Sequence, residues 1–294
     1  MEWITLGIRA DGNPLRFPIH TIAGAQPGPT VGISAGVHGD EVPPIETIRR
    51  VVSQIDPADV RGTLRIVPVA NPLALEYLTR HSPQDMLNFN RVYPGNPDGW
   101  MTEQLAHAFV TRFVQGLDAW IDLHGGGVFP TVDYVYILND EGLSRSFGFN
   151  VMYRTAGGHG DAIDPNIRRV TVEMGGGLAA DDVYIERGVN GLLSALRHLG
   201  TLPGEPVVST SPIIVERLDY IRPHQGGLLV PETRIADLGR IVPRGTVLGR
   251  TFSPYTFEEL EVFEAPFERT VLILLRGAVT RVQPGDFVYM FGAV

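Results

Sequence analysis

Hydrophobic and polar positions in the first two thirds of the chain alternate between short apolar runs and stretches with helical spacing. The apolar runs predict strands over 2–9, 15–22, 29–35, 62–70, 118–124, 131–138 and 168–174. Helical spacing predicts helices over 45–55, 101–116, 141–149 and 181–199. The order strand, helix, strand between 29 and 70 is typical of a parallel sheet. The fold class predicted is therefore α/β, with a mostly parallel or mixed sheet and helices on both faces.

The pattern changes after the segment TLPGEP (201–206), whose composition is that of a linker. Beyond it, short β-rich runs are separated by Gly and Pro turns without a strong helical pattern, which predicts an all-β domain. The predicted domains are 1–204 and 205–294. Residues 71–99 carry few regular signals, and so long an irregular stretch inside a compact domain favours an ordered, functional loop.

Metal-competent side chains stand where three of the predicted strands end. The stretch GVHGDE (36–41) holds His38 and Glu41, WIDLHGGG ends its strand at His124, and VTVEMGGG ends at Glu173. By itself, GVHGDE is more typical of a polar turn after a buried strand than of a metal site, because His-x-x-Glu pairs are common. Because ligands bind beyond the carboxyl ends of parallel strands, we expect these side chains to converge.

Two histidines and one carboxylate form a ligand set that leaves a coordination position open, as catalytic zinc requires. We therefore predict one Zn²⁺ per chain on His38, Glu41 and His124, holding a water made acidic by the metal. Glu173 is then the extra carboxylate and the predicted general base. Asp122 lies two residues before His124, so it either orients a ligand histidine or serves as a plain structural carboxylate.

The irregular loop supplies the predicted substrate contacts. Asn90 and Arg91 are suited to clamp a substrate carboxylate, because a guanidinium binds carboxylates through two hydrogen bonds. Arg80 is either the group that stabilises an oxyanion or a member of a surface ion pair. His159, in a glycine-rich loop, is a further candidate for the lining of the site.

Composition excludes several classes of chemistry. The 294 residues include no cysteine and no lysine, and all 24 basic side chains are arginine. Thiol nucleophiles, thiolate ligands, Schiff-base lysines and lysine-borne lipoyl or biotin are thereby excluded. A net charge of −9 argues against a nucleic-acid partner. Without a membrane-length apolar run or a secretory leader pattern, we expect no membrane association and a cytoplasmic location.

Four motifs together resemble the succinylglutamate desuccinylase/aspartoacylase family, a branch of the zinc carboxypeptidase-like hydrolases. They are GVHGDE, LNFNRVYPG (87–95), IDLHGGG and VTVEMGGG, and the resemblance extends over essentially the whole chain. It implies zinc at His38, Glu41 and His124, a catalytic role for Glu173, a substrate or oxyanion role for Arg80, and carboxylate binding by Asn90 and Arg91. It also implies hydrolysis of the amide of an N-acyl amino acid.

Two departures from the family pattern concern the substrate. The usual Asp-Leu-Asn-Arg reads Asn-Phe-Asn-Arg at 88–91, and the spacing from Arg80 to Asn90 is longer than in aspartoacylase-like members. This spacing is similar to that of N-acetyl-diaminobutyrate deacetylases of ectoine breakdown. The C-terminal segments GGLLVPE, VPRGTVLG and VQPGDFVYMF resemble barrel-sandwich modules of lipoyl type. Without lysine this module is no carrier, so we expect it either to cap the site or to form a contact in a homo-oligomer.

The leading functional hypothesis is a zinc-dependent deacylase acting on a small N-acyl amino acid. A second hypothesis is a metallocarboxypeptidase that acts on peptides, which requires an open groove. A third, from another class, is a non-catalytic ligand-binding protein that keeps the same fold.

Overall fold

A nine-stranded mixed sheet forms the centre of the computed structural model, which describes residues 1–155, 163–177 and 181–294. Its strands are β1 (Glu2–Ile8), β2 (Pro14–Ala23), β3 (Gln26–Ser34), β4 (Arg61–Val67), β5 (Ala119–His124), β6 (Tyr134–Ile137), β7 (Val151–Arg154), β8 (Arg168–Glu173) and β9 (Ile213–Val215). Their order is β1-β2-β4-β3-β5-β8-β6-β7-β9. The central strands β4, β3, β5 and β8 are parallel, while β6 runs antiparallel to β8. The predicted mixed α/β fold is confirmed.

Helices cover both faces of this sheet. They are α1 (Pro43–Val52), α2 (Pro72–Tyr77), α3 (Met101–Phe109), α4 (Glu141–Arg145) and α5 (Asp181–His198). Successive residues of a strand point to opposite faces. Accordingly, Ile121 and Leu123 of β5 join the apolar cluster of α1 and α5, whereas Trp120 joins the cluster of α3. The face that carries Trp120 is also the face on which the polar residues of β5 lie.

Two elements were not predicted from the sequence. One is α2, which lies inside the stretch expected to be irregular; Asn71 caps it by accepting a hydrogen bond from the amide of Ala74 (3.2 Å), and Pro72 begins it. The other is β7, which has only four residues. Neither is long enough to display a periodicity that distinguishes helix or strand. The predicted helix 101–116 is α3 followed by one π-helical turn, Val110–Val114.

The C-terminal segment forms two four-stranded antiparallel sheets, as expected for an all-β module. Its strands are β10 (Arg217–Ile221), β11 (Gly227–Pro231), β12 (Ile241–Val242), β13 (Val247–Phe252), β14 (Glu259–Glu264), β15 (Thr270–Leu274), β16 (Thr280–Val282) and β17 (Tyr289–Ala293). The sheet orders are β10-β17-β15-β12 and β14-β13-β11-β16. The all-β character is confirmed, whereas the barrel-sandwich type and the division at residue 204 stay predictions.

The C-terminal module packs on one edge of the large sheet. Strand β9 follows the linker yet pairs with β7. A shared apolar cluster joins Tyr134 and Val151 of the large sheet to Ile273 and Met290 of the module. This packing brings β10 close to the carboxyl ends of the central strands. None of the helices in the described part of the chain combines the length and hydropathy needed to cross a membrane.

Candidate active site

His38, Glu41 and His124 form a buried triad at the carboxyl ends of β3 and β5. His38 and Glu41 lie in the turn after β3, and His124 is the last residue of β5. Glu41 bridges the two rings: its Oε1 lies 2.7 Å from Nδ1 of His38, and its Oε2 lies 2.9 Å from Nδ1 of His124. One ligand atom from each residue lies within 4.8 Å of the other two, and all three side chains are buried.

The opposite nitrogen of each ring has an acceptor of its own. Nε2 of His38 lies 3.2 Å from Oδ1 of Asn88, and Nε2 of His124 lies 2.9 Å from Oδ2 of Asp122. These acceptors favour imidazoles that carry their proton on Nε2, which leaves the Nδ1 lone pairs facing the carboxylate of Glu41. Because a carboxylate also only accepts, the three groups converge as acceptors that a cation would satisfy.

The electrostatics of the triad fit a bound cation. Burial alone would raise the pKa of Glu41, but His38 and His124 outweigh it and hold that pKa well below its usual range. Burial would lower the pKa of His124, yet Asp122 and Glu41 raise it well above its ordinary value. In the metal-free site a proton on His124 thus supplies the positive charge that a metal would supply, so metal binding competes with protonation.

Glu173 stands beside the triad on the neighbouring strand. It ends β8 and is the cross-strand neighbour of His124 in the parallel pairing of β5 and β8. Burial raises its pKa to about 8, and the nearby charge of Glu41 adds to this effect. A divalent cation on the triad would lower the pKa of Glu173, because a nearby positive charge favours the carboxylate.

The predicted residues of the irregular loop lie beside the triad and Glu173. Nη1 of Arg80 donates to Oε1 of Glu41 (3.0 Å) and lies 3.3 Å from Nδ1 of His38. Nη1 of Arg91 donates to Oδ1 of the buried Asn90 (2.5 Å). Arg80, Asn90 and Arg91 line a cavity of about 340 Å³ together with His38, His124 and Glu173. Six of the seven predicted site residues therefore surround one cavity, and Glu41 joins them through the triad.

Several lining residues were missed from the sequence. They are Asn88 beside His38, which contacts the triad, and Tyr93, Trp120, Tyr136, Leu138, Tyr153, Arg169, Thr171, Leu218 and Tyr220, which line the cavity. Period-two alternation was a usable signal for Trp120, because it shares a strand face with Asp122 and His124. No local pattern marks Tyr220, which comes from β10 of the C-terminal module. His159 lies outside the described residues.

Comparisons with known proteins identify the family of this chain. The family model of the succinylglutamate desuccinylase/aspartoacylase catalytic domain matches residues 27–199. The N-alpha-acetyl-L-2,4-diaminobutyric acid deacetylase of Halomonas elongata is 30% identical over 289 residues, which cover 91% of this chain and 83% of that protein.

Solved structures share the fold over nearly the whole chain. The product-bound ectoine utilization protein EutE (DoeB) from Ruegeria pomeroyi has a TM-score of 0.86 at 25% identity, covering 99% of this chain and 94% of that one. The succinylglutamate desuccinylase/aspartoacylase from Rhodobacter sphaeroides has a TM-score of 0.84 at 23% identity, with coverage of 99% and 94%. The chain belongs to the succinylglutamate desuccinylase/aspartoacylase family.

Proposed function

We propose that this protein is a zinc-dependent deacylase that hydrolyses the amide bond of a small N-acyl amino acid. The observation that carries the proposal is the convergence of His38, Glu41 and His124 as three acceptors beside one cavity, with Glu173 next to them. Imidazole and carboxylate donors are the ligands that zinc takes at catalytic sites, and three of them leave a position for water or substrate.

The residues of the chain supply the remaining parts of an amide hydrolysis. Zinc, when bound, would lower the pKa of a water molecule and polarise the substrate carbonyl. Glu173 accepts a proton as the water attacks the carbonyl carbon, and it delivers that proton to the leaving nitrogen as the C–N bond breaks. Arg80 donates to the carbonyl oxygen as negative charge develops there. The products are a carboxylate and a free amine.

Asn90 and Arg91 are assigned to the carboxylate of the amino acid. Their hydrogen bond of 2.5 Å holds the guanidinium at the wall of the cavity that both residues line. A guanidinium in that position offers further N–H groups to a carboxylate in a paired geometry.

The substrate proposed first is an N-acetylated diamino acid of the diaminobutyrate type. The relative from Halomonas elongata bears the name of an N-alpha-acetyl-L-2,4-diaminobutyric acid deacetylase and covers most of this chain. The small cavity volume, about 340 Å³, is consistent with a substrate of that size.

The alternative of a carboxypeptidase requires room for a peptide. Leu218 and Tyr220 of β10 line the cavity, so the C-terminal module forms part of its wall. This wall favours a small substrate. We include in the proposal that the module, of barrel-sandwich type and beginning after residue 204, acts as a cap on the site.

The substitution Glu173→Gln tests the proposal, with Glu186→Gln on the exposed side of α5 as the matched control. We expect Glu173→Gln to lower the rate of N-acetyl-diaminobutyrate hydrolysis by about 10²-fold or more while zinc content is unchanged. The control should hydrolyse at the wild-type rate. Full activity in Glu173→Gln would exclude this residue as the base. A wild-type protein that binds the amide but never cleaves it would favour the non-catalytic hypothesis.

A further inference from the structure

A buried chain of hydrogen bonds leads away from the metal-site histidine His124. Nε1 of Trp120 lies 2.7 Å from Oγ of Ser34, and Oγ of Ser34 lies 2.5 Å from Oδ1 of Asp122. The other oxygen of Asp122 lies 2.9 Å from Nε2 of His124. All four side chains are at least nine-tenths buried, with exposed fractions of 4% for Trp120, 0% for Ser34, 6% for Asp122 and 2% for His124.

The donor and acceptor chemistry of these groups allows only one direction for each hydrogen bond in this series. An indole N–H donates and never accepts, so the hydroxyl oxygen of Ser34 is the acceptor at that contact. The single proton of Ser34 is then free to point at Asp122, which as a carboxylate only accepts. Asp122 therefore receives one hydrogen bond from Ser34 and needs a second donor at its other oxygen. That donor is the N–H of His124, which must lie on Nε2.

The tautomer of His124 determines which of its nitrogens is available to a metal. With its proton on Nε2, His124 presents the lone pair of Nδ1 toward Glu41, which is the arrangement a metal ligand requires. The strand register explains why these residues meet: Ser34 and Asp122 are paired neighbours on β3 and β5, and Trp120, Asp122 and His124 lie on one face of β5.

We propose that Ser34 and Trp120 are positioning residues that fix the tautomer and orientation of His124 through Asp122. The inference rests on the metal site of the proposed function. Ser34 contacts neither the metal ligands nor the substrate cavity directly, and Trp120 lines the cavity while its N–H is committed to Ser34. Ser34 and Trp120 therefore affect the ligand His124 through Asp122, without coordinating the metal themselves.

The test measures Zn²⁺ affinity by competition with a chromophoric chelator for the wild type, Ser34→Ala and Trp120→Phe. Loss of an outer hydrogen-bond partner typically weakens metal binding by about 10-fold or more. We expect a weakening of about that size in Ser34→Ala, and a smaller one in Trp120→Phe, which keeps an aromatic ring but loses the N–H. The double variant should bind no more weakly than Ser34→Ala, because Trp120 acts through Ser34.

Ser146→Ala is the matched control, since it also removes a buried hydroxyl, one that donates to the carbonyl of Leu143 (2.7 Å) away from the site. It should lose stability on thermal unfolding without losing zinc affinity. The visible absorption of the Co²⁺-loaded proteins gives a second readout of ligand geometry, and we expect it to change in Ser34→Ala but not in Ser146→Ala.

Unchanged affinity and an unchanged cobalt spectrum in both Ser34→Ala and Trp120→Phe would overturn the inference while leaving the deacylase proposal standing. A wild-type protein that binds neither Zn²⁺ nor Co²⁺ would overturn both this inference and the proposal of a zinc-dependent deacylase. Additive losses of zinc affinity in the double variant would contradict the claim that Trp120 acts through Ser34.

Discussion

At the scale of single residues, the two histidines of the triad are held by acceptors of different charge. His124 donates to the carboxylate of Asp122, whereas His38 faces the neutral amide of Asn88. A charged acceptor raises the basicity of an imidazole more than a neutral one, because it stabilises positive charge on the ring. His38 is therefore expected to be the weaker ligand of the two.

The substitution Asn88→Asp should strengthen metal binding. A carboxylate behind His38 would make both ligands alike, and we expect the dissociation constant for zinc to fall by about 10-fold in a chelator competition. Asn13→Asp, which adds the same charge in an exposed turn, is the control and should leave the constant unchanged. Weaker or unaltered binding in Asn88→Asp would show that the amide of Asn88 does not limit His38.

The sequence allowed the principal site residues to be predicted and offered Asp122 as one possible partner of a ligand histidine, but it did not point to Asn88. His38, Glu41, His124 and Glu173 each lie at or just after a strand end, so one topological rule brought them together. The contact of Asn88 with His38 spans 50 positions in sequence and depends on how the loop folds back, which no local pattern encodes. The contact of Arg80 with Glu41 spans 39 positions and likewise could not be predicted from a local pattern.

At the scale of elements, hydrogen bonds inside the stretch 71–99 and to neighbouring elements hold it in place. Nδ2 of Asn71 donates to Oγ of the buried Ser82 (3.0 Å). Asp85 accepts from both the amide and the hydroxyl of Thr102 in the first turn of α3, at 2.8 Å and 2.7 Å. A residue of the loop thus caps a helix that begins well beyond it in sequence. These contacts position the segment that carries Arg80 and Asn88.

Removal of this cap should reduce both stability and substrate binding. We expect Asp85→Ala to lower the free energy of unfolding by about 1–2 kcal/mol, as for other lost helix caps, and to raise KM because the loop loses this side-chain attachment to α3. Urea unfolding and steady-state kinetics measure the two effects. Asp98→Ala, at an exposed position of the same loop, should change neither. If Asp85→Ala were destabilised but kept the wild-type KM, the cap would contribute to stability and not to substrate binding.

The sequence predicted α3 itself from its apolar spacing, but not its cap. The N-terminal amides of a helix need acceptors, and the usual search is for a side chain immediately before the helix. Here the acceptor is Asp85, 17 positions before Thr102. Helix α2 was missed for a different reason: its cap, Asn71, stands immediately before it, but its six residues were too few for a helical pattern.

At the scale of the whole molecule, the C-terminal module completes the cavity. Leu218 and Tyr220 of β10 line the same cavity as Glu173, and an apolar cluster joins the module to β6 and β7. The sequence predicted an all-β module and offered two roles for it. Its place over the site could not be predicted, because the packing of two units depends on surfaces that local periodicity does not describe.

The substitution Tyr220→Ala should widen the range of accepted substrates. Loss of the ring opens the wall formed by β10, so kcat/KM for a bulkier N-acyl amino acid is expected to rise relative to that for N-acetyl-diaminobutyrate. Tyr255→Ala, at a position 90% exposed on a hairpin of the same module, is the control and should keep the wild-type ratio. An unchanged ratio in Tyr220→Ala would contradict a capping role for the module.

The central claim is that His38, Glu41 and His124 hold a zinc ion on which hydrolysis depends. The most direct measurement is the zinc content of the purified protein together with its hydrolysis of N-acetyl-diaminobutyrate before chelation, after chelation and after zinc is returned. We predict one zinc per chain, loss of hydrolysis when the metal is removed, and recovery on its return, with neither zinc nor recovery in His124→Ala. Undiminished hydrolysis by the metal-free protein would contradict the claim.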